Sequence, residues 1–128
     1  MTSMATATKT QLLIGGKWRD GSEGATYDVL NPATGAKLAD VAEATRSDVD
    51  DAVAAARRAF DAGKWRTMAA SRRAKIIYKL AQLIDARSEE LALLEVRNNG
   101  KTISTARGEL SAIVDTFEFY AGAATKNQ

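Results

Sequence analysis

The sequence contains no histidine and no cysteine, and these two absences remove most of the chemistry open to a small protein. Without cysteine there is no disulfide framework, no thiolate nucleophile and no zinc cluster; without histidine the commonest neutral-pH base and metal ligand is missing. Ser–His–Asp and Cys–His devices cannot be assembled. Carboxylate-only chemistry would need a pocket that a chain of 128 residues is too small to enclose by itself. Large apolar side chains are scarce as well. Of the 58 hydrophobic positions 25 are alanine, and Val, Ile, Leu and Phe together account for 25 of 128 residues, just under a fifth. That level is too low for folding when net charge is high, but the net charge here is only +2. One ordered domain with a thin core is expected, and it reads as part of something larger.

No apolar run approaches the roughly 20 residues of a membrane span, so no membrane role is expected. An excess of two positive charges is far from the clustered basic surface that nucleic acid demands. Residues 1–11 are rich in Thr and Ala, with one lysine and no apolar block, and read as a disordered tail rather than a signal peptide. A cytoplasmic location follows by default.

Past the tail, the chain divides near Ser47 into an extended front and a helical back. Residues 11–14 and 17–19 flank Gly15-Gly16, and two glycines between apolar runs suit a tight primed turn. Residues 27–30 and 36–42 flank Asn31-Pro32-Ala33-Thr34-Gly35, where Pro fixes φ for a turn and Gly accepts positive φ. Two hairpin-like elements result, joined by the flexible loop Asp20-Gly21-Ser22-Glu23-Gly24. About four helices follow. Ser47 caps the first, over residues 48–62, with Asp48, Asp50 and Asp51 near its positive end and Gly63 as its stop. Its apolar stripe is Val49, Ala52, Val53, Ala56 and Phe60. Ser71 caps a second helix with the stripe Ile77, Leu80, Ala81 and Ile84. Ser88 caps a third, with Leu91, Leu93 and Leu94, which ends at Asn98-Asn99-Gly100. A fourth starts near Ser104 and carries Leu110, Ile113, Val114, Phe117 and Ala121 on one face.

Two signals for ligand binding fail on inspection. Gly100-Lys101-Thr102 copies the end of a phosphate-cradling loop, but the glycine required five positions earlier is Glu95, and the segment leaves a helix where the motif needs a strand. Arg72, Arg73, Lys75 and Lys79 form a basic helix segment, diluted by Asp85, Glu89 and Glu90, and read as a solvated face. Trp18 and Trp65, each beside a turn, read as covers for a core edge.

The order of these pieces resembles the N-terminal region of the NAD(P)-dependent aldehyde dehydrogenase superfamily. The carriers are Ile14-Gly15-Gly16-Lys17-Trp18, Asn31-Pro32-Ala33-Thr34-Gly35, the helix from Asp48 to Phe60, Lys64-Trp65-Arg66, Arg72-Arg73, Asn99-Gly100-Lys101 and Phe119-Tyr120-Ala121-Gly122. The resemblance implies an α/β fold in which residues 12–128 are the first portion of the cofactor-binding domain, without the Rossmann-type sheet and without the catalytic domain. It implies a parent enzyme, a homo-dimer or homo-tetramer, that oxidises an aldehyde to a carboxylic acid with NAD or NADP. Its steps are cysteine thiolate attack, hydride transfer and thioester hydrolysis. The family's nucleophile, glutamate base, oxyanion-stabilising asparagine and cofactor-binding glycine turn all lie beyond the point matching Gln128. The isolated chain is therefore expected to bind no cofactor and to be inactive, with the remainder of the enzyme as its partner. A freestanding helical binding or structural module derived from the family is the alternative. The two differ in one expectation: a fragment should leave the face through Leu110, Val114, Phe117 and Ala121 unusually exposed.

Two site assignments carry over from the resemblance. Main-chain oxygens matching Val29 and Leu30, with an acidic residue matching Asn98, hold a monovalent cation in some members. The acid is absent here, although Asn98 still offers carbonyl oxygens. The last helix lines the substrate tunnel in the family, which places Glu109, Ile113 and Phe117 on its wall. Glu109 at the mouth would favour cationic aldehydes by charge attraction.

Overall fold

The computed structural model describes residues 10–126. The expected tail lies outside the described residues except for Thr10 and Gln11. The Thr10 carbonyl accepts from Ala42 N at 2.7 Å, and Gln11 Nε2 donates to Asp20 Oδ1 at 2.9 Å.

The first hairpin pairs β1 (Leu12–Ile14) with β2 (Lys17–Arg19), Ile14 opposite Lys17. Gly15 and Gly16 both take positive φ, 59° and 80°, as a two-residue primed turn requires. The second pairs β3 (Thr26–Leu30) with β4 (Lys37–Ala42), with an irregularity between Val29 and Leu30. Its turn is tied locally: Asn31 Oδ1 accepts from Ala33 N at 2.9 Å, the Asn31 carbonyl accepts from Gly35 N at 2.8 Å, and Gly35 sits at φ 70°. The hairpins form separate two-stranded sheets. The loop between them is held because Gly21 is buried against the Glu43 carbonyl, where a Cβ would stand only 2.2 Å away.

Five helices follow: α1 (Arg46–Ala62), α2 (Lys64–Thr67), α3 (Ala70–Asp85), α4 (Ser88–Asn99) and α5 (Ile103–Ala123). Four are the expected ones, and the single turn α2 is new. Their starts differ from expectation. Thr45, not Ser47, caps α1: Ser47 and Asp50 share the capping-box spacing, but Thr45 and Asp48 each bond the other's backbone and Asp48 is further held by Ser22 and Arg19. Thr102, not Ser104, caps α5. Helix α3 begins after Ala69 with no side-chain cap, and Ser71 lies inside it. Ser88 is likewise the first helical residue of α4, after Arg87.

Helix α5 packs against α3 and α4. The contact is built from alanine: Ala81, Ala92 and Ala106 are completely buried, and Ala121 nearly so. Such small side chains let helix backbones approach closely and interlock ridge to groove. Leu110, 7% exposed, is the one large apolar residue in the buried core of the described residues. The expected exposure of the last helix is therefore corrected: Leu110 and Ala121 are buried and Val114 and Phe117 half-buried. The open apolar surface expected of a fragment is not on that face: on α5 it is Phe119, 71% exposed, and Tyr120, and further strips lie on other helices. On α1 the stripe expected to face a core is open, with Val53 63% and Phe60 66% exposed, and Ile76, Leu80 and Leu83 open a second strip on α3.

Candidate functional site

Helix α4 ends at Gly100, whose φ of 80° reverses the chain, and Thr102 restarts it as α5. This corner meets the second hairpin. A Cβ on Gly100 would lie 2.9 Å from Pro32 Cγ, so the Asn31-Pro32 turn and the Asn99-Gly100-Lys101 corner are neighbours. The segments expected to supply a cation site are thereby brought to one region: Val29 and Leu30 lead into Pro32, and Asn98 precedes the corner. Val29 is half-buried, whereas Leu30 and Asn98 are exposed. Among the described residues no group of three or more His, Cys, Asp or Glu gathers as a metal centre, so any cation here depends on carbonyl oxygens.

The same corner assembles a charge cluster that sequence reasoning missed. Lys101 Nζ lies 2.5 Å from Glu109 Oε2 and 3.0 Å from Glu95 Oε1. Glu95 Oε1 also accepts from Asn99 Nδ2 at 2.5 Å, and Asn99 Oδ1 accepts from Lys101 N at 3.0 Å. The hydrogen bonds to Glu109 and then Glu95 raise the Lys101 pKa. The Lys101 side chain, 24% exposed, is the least exposed of the three. Two carboxylates around one ammonium leave a single net negative charge. Glu109 is thus not the bare carboxylate pictured from sequence. It borders a groove with Ile84, Leu91, Leu94 and Ile113, so the structure brings Glu109 and Ile113 together. Phe117 lies one turn further along α5, half-buried and outside that groove.

A second polar centre anchors the front of the molecule. Asp48 is 1% exposed, the only fully buried large side chain among the described residues. Its carboxylate accepts from Ser22 N at 3.0 Å, Ser22 Oγ at 2.5 Å, Thr45 N and Thr45 Oγ1 at 2.9 Å each, and Arg19 Nη2 at 2.7 Å. These bonds, the Ser22 pair foremost, hold its carboxyl well below the ordinary carboxylate range. A carboxylate so fixed accepts hydrogen bonds but exchanges no proton near neutrality. Asp48 is a clasp between β2, the Gly21-Ser22 loop and α1. The Thr-x-x-Asp spacing was the signal for half of it; the approach of Ser22 and Arg19 is tertiary.

Two hairpins, a capped first helix and an alanine-packed α3–α5 unit, in this order, give the sequence resemblance a three-dimensional form. The profile of the Aldehyde dehydrogenase family matches residues 18–128. The chain belongs to the aldehyde dehydrogenase family. Aldehyde dehydrogenase 1 of Tanacetum cinerariifolium is 45% identical over 118 residues, 91% of this chain and 24% of that protein. The NAD-dependent aldehyde dehydrogenase of Sinorhizobium meliloti superposes over 94% of this chain and 24% of its own, with a TM-score of 0.88 and 42% identity. A betaine aldehyde dehydrogenase of Staphylococcus aureus, solved with NAD+, superposes over 93% of this chain and 24% of its own, with a TM-score of 0.90 and 33% identity. The chain thus spans about a quarter of the length of the aldehyde dehydrogenases it matches, and its fold is that of their N-terminal region. No helix among the described residues is long and apolar enough to cross a membrane.

Proposed function

We propose that this chain serves as the opening part of the cofactor-binding domain of an NAD(P)+-dependent aldehyde dehydrogenase, a cytoplasmic homo-dimer or homo-tetramer that oxidises an aldehyde to a carboxylic acid. The observation that carries the reading is the superposition of nearly the whole chain on a quarter of an NAD-dependent enzyme at 42% identity. The chain by itself is inactive, since it contains neither a cysteine nucleophile nor a G-x-G-x-x-G turn for a dinucleotide. Its partner is the remainder of the enzyme, which supplies the nucleophile and the rest of the cofactor site. Purified alone and mixed with a short aliphatic aldehyde and NAD+ or NADP+, it produces no reduced nicotinamide. Turnover by the isolated chain would refute the assignment.

Within the enzyme, Glu109, Ile113 and Phe117 line the aldehyde's approach, and the net negative charge of the Glu95–Lys101–Glu109 cluster favours cationic aldehydes. In a full-length enzyme carrying this region, Glu109→Gln lowers kcat/KM for an amino-aldehyde more than for a neutral aldehyde of equal length. An unchanged ranking would remove Glu109 from the substrate path. The carbonyls of Val29, Leu30 and Asn98 hold a sodium or potassium ion, so thermal stability of that enzyme rises with either ion relative to a bulky organic cation. Indifference to the ion would remove the site.

A further inference from the structure

We propose that Asn99 is a latent deamidation site that the cap of α4 holds closed. Asn99 is followed by Gly100, and glycine lets its own amide nitrogen reach the preceding side chain because it presents no side chain to hinder the approach. In the reaction Gly100 N attacks Asn99 Cγ and a new C–N bond forms. The Cγ–Nδ2 bond breaks, and ammonia leaves carrying the proton that Gly100 N gives up. Water then opens the five-membered imide at either carbonyl, giving aspartate or isoaspartate, with no change of oxidation state.

The folded corner blocks the first step in three ways. Gly100 N–H is committed to the Val96 carbonyl at 2.9 Å, so the nucleophile faces back along α4. Asn99 is the last helical residue of α4, and its side chain is held at both ends, Nδ2 on Glu95 Oε1 at 2.5 Å and Oδ1 on Lys101 N at 3.0 Å. Pro32 sits against Gly100, leaving no room on that side for the chain to rotate. Nevertheless Asn99 is exposed to solvent, and helix ends open before helix centres. The reaction is therefore governed by how often the corner opens. Its product matters to the corner, because it removes the Nδ2 donor and sets a third carboxylate beside Glu95 and Glu109 around the one ammonium of Lys101.

The test reads a mass, so it stands apart from the catalytic proposal. The whole chain is incubated at mildly alkaline pH in buffer and, in parallel, in guanidinium. It is then cleaved after glutamate, and the peptide that carries Asn99, residues 96–109 or, in the Glu95→Ala variant, residues 91–109, is scored for aspartate and isoaspartate. Circular dichroism confirms helix content in buffer. If helix is lacking, the same comparison is made with the chain joined to the downstream region of the Sinorhizobium meliloti enzyme. Conversion at Asn99 is expected on the order of tenfold or more slower in the folded protein than in guanidinium. Asn98, followed by the bulkier Asn99, stays intact in both. Glu95→Ala, which frees Nδ2, accelerates only the folded reaction. Equal rates in buffer and guanidinium, or conversion of Asn98 as fast as Asn99, would overturn the proposal.

Discussion

Replacing Gly100 with alanine probes the joint between hairpin and helices. At φ 80° an L-residue is strained by roughly 1–2 kcal/mol. The new Cβ would stand 2.9 Å from Pro32 Cγ, part of a ring that cannot swing aside, so the Asn31–Gly35 turn must retreat by a few tenths of an ångström. Against this, alanine reduces the freedom of the unfolded chain, which returns about 0.4–1 kcal/mol. The backbone balance is a cost of up to about 1.6 kcal/mol, to which the displacement of the turn adds, so a net loss of about 1 kcal/mol is expected. Gly108 is the matched control, since it lies inside α5 and nothing surrounds the position of its Cβ. Gly108→Ala is expected to stabilise by roughly 0.5–1 kcal/mol. The two variants thus separate by on the order of 2 kcal/mol in guanidinium unfolding, or about 8 °C in Tm for a domain of this size. If Gly100→Ala matches or exceeds the wild type while Gly108→Ala behaves as stated, the left-handed cap and its contact with Pro32 are not what holds this corner.

The remaining predictions concern the clasp and the core. Because the Asp48 pKa is lowered from its ordinary value of 3.8, its contribution to stability is present above that value and fades as pH falls below it. Asp48→Asn is therefore less stable than wild type at neutral pH, and the difference narrows on acidification; a pH-independent difference in guanidinium midpoint would contradict the clasp. Leu110→Ala removes the one large side chain buried in the α3–α5 core and costs about 2–4 kcal/mol, enough to erase the cooperative transition of so thin a domain. A loss below about 1 kcal/mol would mean that the alanine contacts carry the core by themselves.

The sequence made the turns plain because their chemistry is local. Gly15-Gly16, Asn31 to Gly35 and Gly100 each supply a backbone conformation that few other residues accept, and Gly63 leaves room for the Ala59 carbonyl at the end of α1. Helix caps were displaced by about two residues, because Thr45 and Ser47, or Thr102 and Ser104, offer the same hydroxyl, and Ser47 has Asp50 at the same spacing at which Thr45 has Asp48. Helix α2 was invisible, since one turn of Lys-Trp-Arg-Thr has no periodicity. Periodicity also marked the apolar side of α1 without revealing whether anything covers it, and Val53 and Phe60 are in fact open. At the candidate site the motif order was readable, but the pairing of Glu109 with Lys101 was not. That pairing depends on the chain reversal at Gly100, which sets residues six before and eight after Lys101 on either side of its side chain.

The most direct test of the account joins this chain, in place of the matching quarter, to the rest of the NAD-dependent aldehyde dehydrogenase of Sinorhizobium meliloti and measures aldehyde-dependent reduction of NAD+. A folded chimera that oxidises aldehyde, beside an isolated chain that does not, is expected. A chimera that folds and binds NAD+ but leaves aldehyde unchanged, or an isolated chain that turns it over, would contradict it.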